Sequence, residues 1–263
     1  MVLRLVEERR LRILQLLEEA GTLSTEQLAQ RLKVSAETVR RDLVQLDQQG
    51  RLHRVHGGAM NGTAVRQEEA PFAERAEVAA EAKRRIAQVA SELVVPGQTL
   101  AFDVGTTALA VARALPGSFH GTVVTCSLLV AAELAGRAGV EVLVAGGRVR
   151  GGDLAVSNAQ TVEFFRDVHA DVAFLGSGGV APEAGLTDFY LDEVVTRRVI
   201  LANAGAAYVL ADASKLGKVA AHRVCGLDEV TAVVTDQRPP RSLAGAIRDA
   251  GGRLLTAPPV ISR

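Results

Sequence analysis

From about Ala79 onward, short apolar runs alternate with helical stretches, and this rhythm constrains the fold more than any other feature of the chain. The runs are Thr99–Phe102, Thr122–Thr125, Val140–Ala145, Asp171–Leu175, Ala207–Ala211, Val230–Thr235 and Arg253–Thr256. Most lack polar alternation, the pattern expected when both faces of a sheet are covered. Between them lie helical stretches such as Thr107–Ala114, Ser127–Ala135, Leu191–Ala204 and Ser242–Ala250. Strand, helix and strand repeated in this way predict a mostly parallel, Rossmann-like α/β domain over residues 78–263.

The first 58 residues keep a different period. Leu11, Leu14 and Leu17 share a helical face within Val6–Ala20, and Gly21 follows as a stop. Ser24, with Gln27 three residues on, predicts a capping box that opens a second helix and turns Leu28, Ala29 and Leu32 inward. Ser35 is expected to cap a third helix, which carries Val39, Leu43 and Leu46 and ends at Gly50. A short β-ribbon is expected to follow over Arg51–Gly58. Two helices joined by Lys33-Val34-Ser35 have the spacing of a helix-turn-helix, whose second helix enters the major groove of DNA. The predicted α/β chain is therefore a small winged helix-turn-helix at 1–58, a linker at 59–77 and an effector-binding domain at 78–263.

A chain of 263 residues is long enough for two domains. Its net charge is zero, so an argument for DNA has to be local. Residues 31–58 supply one: Arg31, Lys33, Arg40, Arg41, Arg51 and Arg54 face only Glu37, Asp42 and Asp47, with His53 and His56 besides. Scarce aromatics and the absence of Trp argue against an aromatic-lined carbohydrate groove. Cys126 and Cys225 stand in neither a CxxC nor a metal-ligand spacing, which fits a reduced cytoplasmic compartment without metal or cofactor. The charged N-terminus has no signal-peptide character, and no apolar run reaches membrane-spanning length.

Ser35, Glu37, Thr38, Arg40 and Arg41 are the polar positions near the start of the third helix. Val34-Ser35-Ala36-Glu37-Thr38-Val39-Arg40-Arg41-Asp42-Leu43 resembles the VSxxTxRRDL signature of the DeoR family of repressors. Leu46, Gly50 and Arg54-Val55-His56-Gly57-Gly58-Ala59 resemble that family's ending. The resemblance implies that Ser35, Thr38, Arg40 and Arg41 lie on the DNA-facing helix, with Arg54 and His56 on the wing. Other readings stand beside these. Asp42 could pair with Arg40 or Arg41, Thr38 could serve packing alone, and His56 could simply shape the wing turn.

Phe102-Asp103-Val104-Gly105-Thr106-Thr107 sits where a strand gives way to a helix. Glycine there lets the backbone approach a ligand, and amides at a helix start attract anions. The alternative is an ordinary capped helix. Thr125-Cys126-Ser127, Gly146-Gly147, Asp171 with Gly176-Ser177-Gly178-Gly179, Gly185-Leu186-Thr187 and Asp212-Ala213-Ser214-Lys215 follow in the order of the DeoR-family sensor domain, which resembles ribose-phosphate isomerases. By that similarity Asp103, Gly105, Thr106 and Thr107 would line a phosphate and sugar site, with Ser127, Gly147 and Asp171 around it and Lys215 as a nearby cation. Lys215 could equally be a solvated turn residue, and Asp171 and Asp212 could close loops.

Three departures bear on ligand choice. Cys126 stands where the family commonly has Asn, Thr196 where it often has Lys, and Leu154–Ala159 lacks a usual glycine. Arg197 or Arg198 could substitute as an anion partner. The implied partners are double-stranded operator DNA, a small phosphorylated metabolite and further copies of the chain, as a dimer or tetramer. An isomerase is the rival reading. It is disfavoured because Asp171 is followed by apolar Val172–Leu175, and because Asp192 or Glu193 would need a second polar partner that the sequence does not offer. An activator, or a sensor of an unphosphorylated ligand, fits the same modules.

Overall fold

The computed structural model describes residues 2–20, 22–48, 51–55, 58–61 and 69–258. The chain divides into two compact units, Met1–Glu68 and Glu69–Arg263.

The first unit runs α1 (Val2–Ala20), β1 (Thr22–Ser24), α2 (Thr25–Leu32), α3 (Ala36–Gln48), β2 (Leu52–Val55) and β3 (Gly58–Asn61). The capping box forms as read: Ser24 Oγ accepts from the Gln27 amide at 3.1 Å, and Gln27 Oε1 accepts from the Ser24 amide at 2.8 Å. Lys33 ends α2 in a left-handed conformation (φ 55°), which makes the tight turn between the two helices. Ile13, Leu16, Leu17, Leu28, Val39, Leu43 and Leu46 build the core. Leu11, expected on the inner face of α1, is half exposed, because the buried stripe runs through residues 13, 16 and 17 instead. The expected ribbon is a three-stranded antiparallel sheet of order β1-β3-β2. Gly58 is required there, since a Cβ would stand 2.3 Å from the Leu23 carbonyl oxygen. The stops expected at Gly21 and Gly50 lie outside the described residues.

The second unit begins with α4 (Phe72–Glu77), α5 (Ala80–Ser91), β4 (Thr99–Phe102), α6 (Thr106–Ala114), β5 (Gly121–Thr125), α7 (Leu128–Leu134) and β6 (Val140–Val144). It continues with β7 (Arg148–Val149), β8 (Val156–Ser157), α8 (Ala159–Arg166), β9 (Ala170–Leu175), β10 (Gly179–Ala181), β11 (Gly185–Asp188), α9 (Leu191–Ala202) and β12 (Ala204–Leu210). The last elements are β13 (His222–Cys225), β14 (Ala232–Thr235), α10 (Arg241–Asp249) and β15 (Arg253–Thr256). The stretch expected as a linker, 59–77, thus holds most of β3 and all of α4.

All seven expected strands join one parallel sheet of order β15-β14-β12-β9-β4-β5-β6. Its faces are buried against different layers. Leu100, Phe102, Val123, Phe174 and Val234 pack with Ile86 of α5 and Val111 of α6, while Ala101, Val124, Ala173, Val209 and Val233 pack with Val194 of α9 and Ile247 of α10. The chain lays down β4, β5 and β6 toward one edge, then returns to place β9, β12, β14 and β15 on the other side of β4. The topological switch therefore falls between β4 and β9, and an open parallel sheet offers its ligand crevice outside the carboxyl ends of such strands.

Candidate functional site

On α3 the inward positions Val39, Leu43 and Leu46 are apolar, and Glu37, Arg40 and Arg41 point to solvent. Ser35 sits just before the helix, where its Oγ accepts from the Thr38 amide at 3.1 Å and lies 2.8 Å from the Thr38 hydroxyl. Arg40 and Arg41 are 56% and 80% exposed, and both reach Glu37, at 3.5 and 3.4 Å. The alternative in which Asp42 pairs with one of these arginines does not occur. Residues one or two apart on a helix do not face each other, whereas Glu37 lies three and four before the two arginines. Asp42 turns inward and is held by Arg9 and Arg10 of α1. Arg54 is carried on β2; its side chain and all of His56 lie outside the described residues.

The sheet gathers most of the expected effector residues at one end. Asp103–Thr107 follow β4, Ser127 follows β5, Gly147 follows β6, and Asp212–Lys215 follow β12. Gly105 adopts φ 117° as it leads into α6 and brings no side chain to cap it. Thr106 and Thr107 are half-buried in the first turn of that helix. Lys215 ends a short 3₁₀ turn, with Nζ 5.7 Å from the centre of the Phe189 ring. Ser127 is buried and caps α7, where its Oγ accepts from the Val130 amide. Gly147 (φ 150°) lets Asn158 and Thr161 approach, since a Cβ would stand 2.7 Å from an oxygen of each.

Asp171 is the exception. It is the second residue of β9, at the amino end of the sheet, where its Oδ2 accepts from the Thr99 amide at 2.7 Å. That places it roughly 13 Å of extended strand from the carboxyl edge. Asp212 likewise closes its own turn by accepting from the Ser214 amide.

At the switch point the structure holds a buried ionic cluster. Arg197 of α9 sits between Asp103 after β4, Asp188 of β11 and Glu193 one turn earlier in α9. Glu193 also meets Arg150, which pairs with Asp153 and lies over the Tyr190 ring at 3.9 Å. Gly176 completes the arrangement by donating its amide to Asp103 Oδ2 at 2.8 Å. Neither arginine proposed as an anion partner is free for one: Arg197 is enclosed by carboxylates, and Arg198 donates to the Val224 and Arg223 carbonyls. Glu193, read as lacking polar partners, has two. Of the departures, Cys126 is buried, and burial pushes its thiol well up. Thr196 donates to the Asp192 carbonyl within its helix. In the segment without glycine, Leu154 takes a left-handed conformation (φ 53°).

Burial pushes the Glu193 carboxyl up to about 7, with Arg197 opposing and Asp188 and Asp103 adding to the rise. A carboxyl raised in the folded state binds its proton more tightly there than in the unfolded chain. Its contribution is full below about 4.5 and is lost as pH climbs through about 7. Melts of the parent and Glu193→Gln should therefore diverge: between pH 4.5 and 8 the parent loses on the order of 3 kcal/mol relative to the variant. Parallel stability–pH curves would refute this.

Residues 9–63 match the family described as the DeoR-like helix-turn-helix domain, and residues 78–237 match the DeoR C terminal sensor domain. The chain is 34% identical over 238 residues to the glycerol-3-phosphate regulon repressor of Escherichia coli strain K12, covering 90% of this chain and 93% of that protein. It is 30% identical over 249 residues to the HTH-type transcriptional repressor GlcR of Bacillus subtilis strain 168, covering 95% of each. Among solved structures, the probable sor operon regulator from Shigella flexneri aligns with a TM-score of 0.41 at 15% identity, over 78% of this chain and 97% of that one. Among the described residues no helix is long and apolar enough to cross a membrane.

Proposed function

We propose, from the premise that the chain belongs to the DeoR family of transcriptional regulators, that it represses a sugar-metabolism operon and that a phosphorylated sugar controls its grip on the operator. The observation that carries the DNA half is the outward, solvent-exposed placement of Arg40 and Arg41 on α3. Inserted in a major groove, such a helix reads base edges, while basic side chains around it meet phosphates. Arg54 and His56 are proposed for the wing.

The sensing half is proposed for the crevice at the β4–β9 switch. Gly105, Thr106 and Thr107 offer a helix start to a phosphate and Lys215 a cation on the loop after β12, at the same end of the sheet, two independent reasons for a dianion to settle there. Asp103 belongs to this site as a wall, because its carboxylate is already engaged by Arg197 and Gly176. Relatives named as repressors, together with an Asp171 remote from the crevice, support a regulator over an isomerase. Turnover of pentose phosphates by the purified protein would contradict this. A cytoplasmic homo-oligomer, dimer or tetramer, fits symmetric operator reading; a monomer by light scattering with and without DNA would argue against it.

The test is a thermal-shift screen of the full chain against sugar phosphates and glycerol 3-phosphate. A ligand that binds only the folded state at a hundred times its Kd adds about 2.7 kcal/mol of stability. Lys215→Ala and Thr106→Val should each remove that shift and the effector's influence on operator affinity, leaving operator binding itself intact. Such coupling requires the effector to bind the DNA-competent and free states unequally. Loss of operator binding in both variants would mean that these residues hold the fold together instead.

A further inference from the structure

Asp42 sits in the middle of the reading helix and immediately follows the two exposed arginines, yet it has no place in reading DNA. Its side chain is 3% exposed and accepts from Arg9 Nε at 2.5 Å through Oδ2 and from Arg10 Nε at 2.9 Å through Oδ1. Arg9 and Arg10 are neighbours on α1, about three-quarters buried, and they converge on one carboxylate from two sides. A buried carboxylate is costly unless it is paired, and a pair of guanidiniums satisfies both of its oxygens while leaving the cluster net positive.

On its buried face α3 also packs Val39, Leu43 and Leu46 against Ile13, Leu17 and Leu28. Apolar burial is non-directional and tolerates a few degrees of roll or a small slide. Charge-assisted hydrogen bonds to two oxygens of one carboxylate are short and directional. On a helix laid in a groove, a small roll decides whether a side chain at the exposed face meets one base edge, the next, or a phosphate.

We infer that Arg9 and Arg10 are positioning residues for operator reading: through Asp42 they fix the roll of α3, and with it which base edges Arg40 and Arg41 reach. The inference rests on α3 being the DNA-reading helix. It assigns to α1 a share in sequence preference without any contact to a base. It also gives the buried Asp42 a reason to be acidic, since no neutral side chain of that length accepts from two guanidiniums so strongly.

The experiment uses the full-length protein and the duplex that the parent selects from a random pool, with an unrelated duplex of equal length as reference. Asp42→Asn keeps the shape and removes the charge. It should lower the ratio of selected to unrelated affinity about tenfold, the scale of one lost base contact. Affinity for the unrelated duplex should hold or rise, because a negative charge has gone. Arg9→Gln with Arg10→Gln should lower the same ratio, and adding Asp42→Asn to that pair should restore part of it by removing the stranded carboxylate. Should Asp42→Asn fail to fold, Arg10→Lys, which keeps the charge and alters the geometry, is expected to lower the ratio about threefold at unchanged melting temperature.

An unchanged ratio in folded variants overturns the inference, because Asp42 then serves stability alone. An equal loss on both duplexes also overturns it, because Arg9 and Arg10 then hold phosphates. If the parent selects no sequence at all, the reading of α3 fails, and the inference fails with it.

Discussion

Arg197→Ala is expected to cost the second unit about 3–5 kcal/mol, the scale of a buried ion pair broken from one side. The guanidinium is 3% exposed and touches Asp103, Asp188 and Glu193, themselves 2%, 3% and 6% exposed. Without it three carboxylates remain in the interior, and only Glu193 keeps another cation, Arg150. Against a total stability of about 5–15 kcal/mol the loss is a large fraction. For a unit of this size it lowers the melting temperature by roughly 6–20 °C. The remedy follows from the same physics. Replacing the cluster together, with Arg197→Met, Asp103→Asn, Asp188→Asn and Glu193→Gln, removes the stranded charges and should recover most of the loss, since buried ion pairs often contribute little net stability over a neutral replacement. Thermal melts of the two variants beside the parent decide the matter. A drop below about 1 kcal/mol for Arg197→Ala would mean that the carboxylates shed their charge by taking up protons, and that the cluster is not held by Arg197.

That cluster is also where the sequence was hardest to read. The seven strands of the large sheet stood out because most are short apolar runs, the central ones β4, β9, β12 and β14 largely buried, and such runs need no long-range information to recognise. The short strands β7, β8, β10, β11 and β13 carry too few residues to show a period, and β13 pairs with a strand far back along the chain: Leu186 of β11 aligns with Cys225 of β13. The ionic cluster draws one member each from the ends of β4 and β11, two from α9 and two from the β7–β8 connection, so no local spacing announces it. One signal was present. On α9, Val194, Arg197 and Ile200 repeat at helical spacing, and all three are buried. An arginine on an otherwise apolar stripe must find carboxylates. Asp171 misleads for a related reason. Proximity in sequence to Gly176 suggested a common site, but a β-strand carries its two ends apart. On α3 helix geometry decides between the alternatives for Asp42: the i+3 and i+4 rule assigns Glu37, not Asp42, as the partner of Arg40 and Arg41.

The same geometry sets the second large effect. Arg40→Ala with Arg41→Ala should weaken binding to the parent's selected operator by a hundredfold or more, about 2.7 kcal/mol, with the fold unchanged because both side chains are exposed. Their contacts with Glu37 do not stand in the way. Surface ion pairs contribute about 0–1 kcal/mol, and a duplex offers each guanidinium either a phosphate or a guanine edge. The two offers are separable. An arginine on a phosphate loses affinity equally on all sequences and lowers the salt slope by about one unit when removed, whereas one on a guanine loses about 1–3 kcal/mol on the operator alone. Single variants measured across salt concentrations on operator and unrelated duplex assign each arginine to one role. Glu37→Gln supplies the control: releasing both guanidiniums should strengthen binding to unrelated DNA, because a carboxylate facing the phosphates has been neutralised. If the double alanine variant keeps both its affinity and its salt slope, the two arginines stay with Glu37 in the complex, and α3 reads DNA through other side chains or not at all.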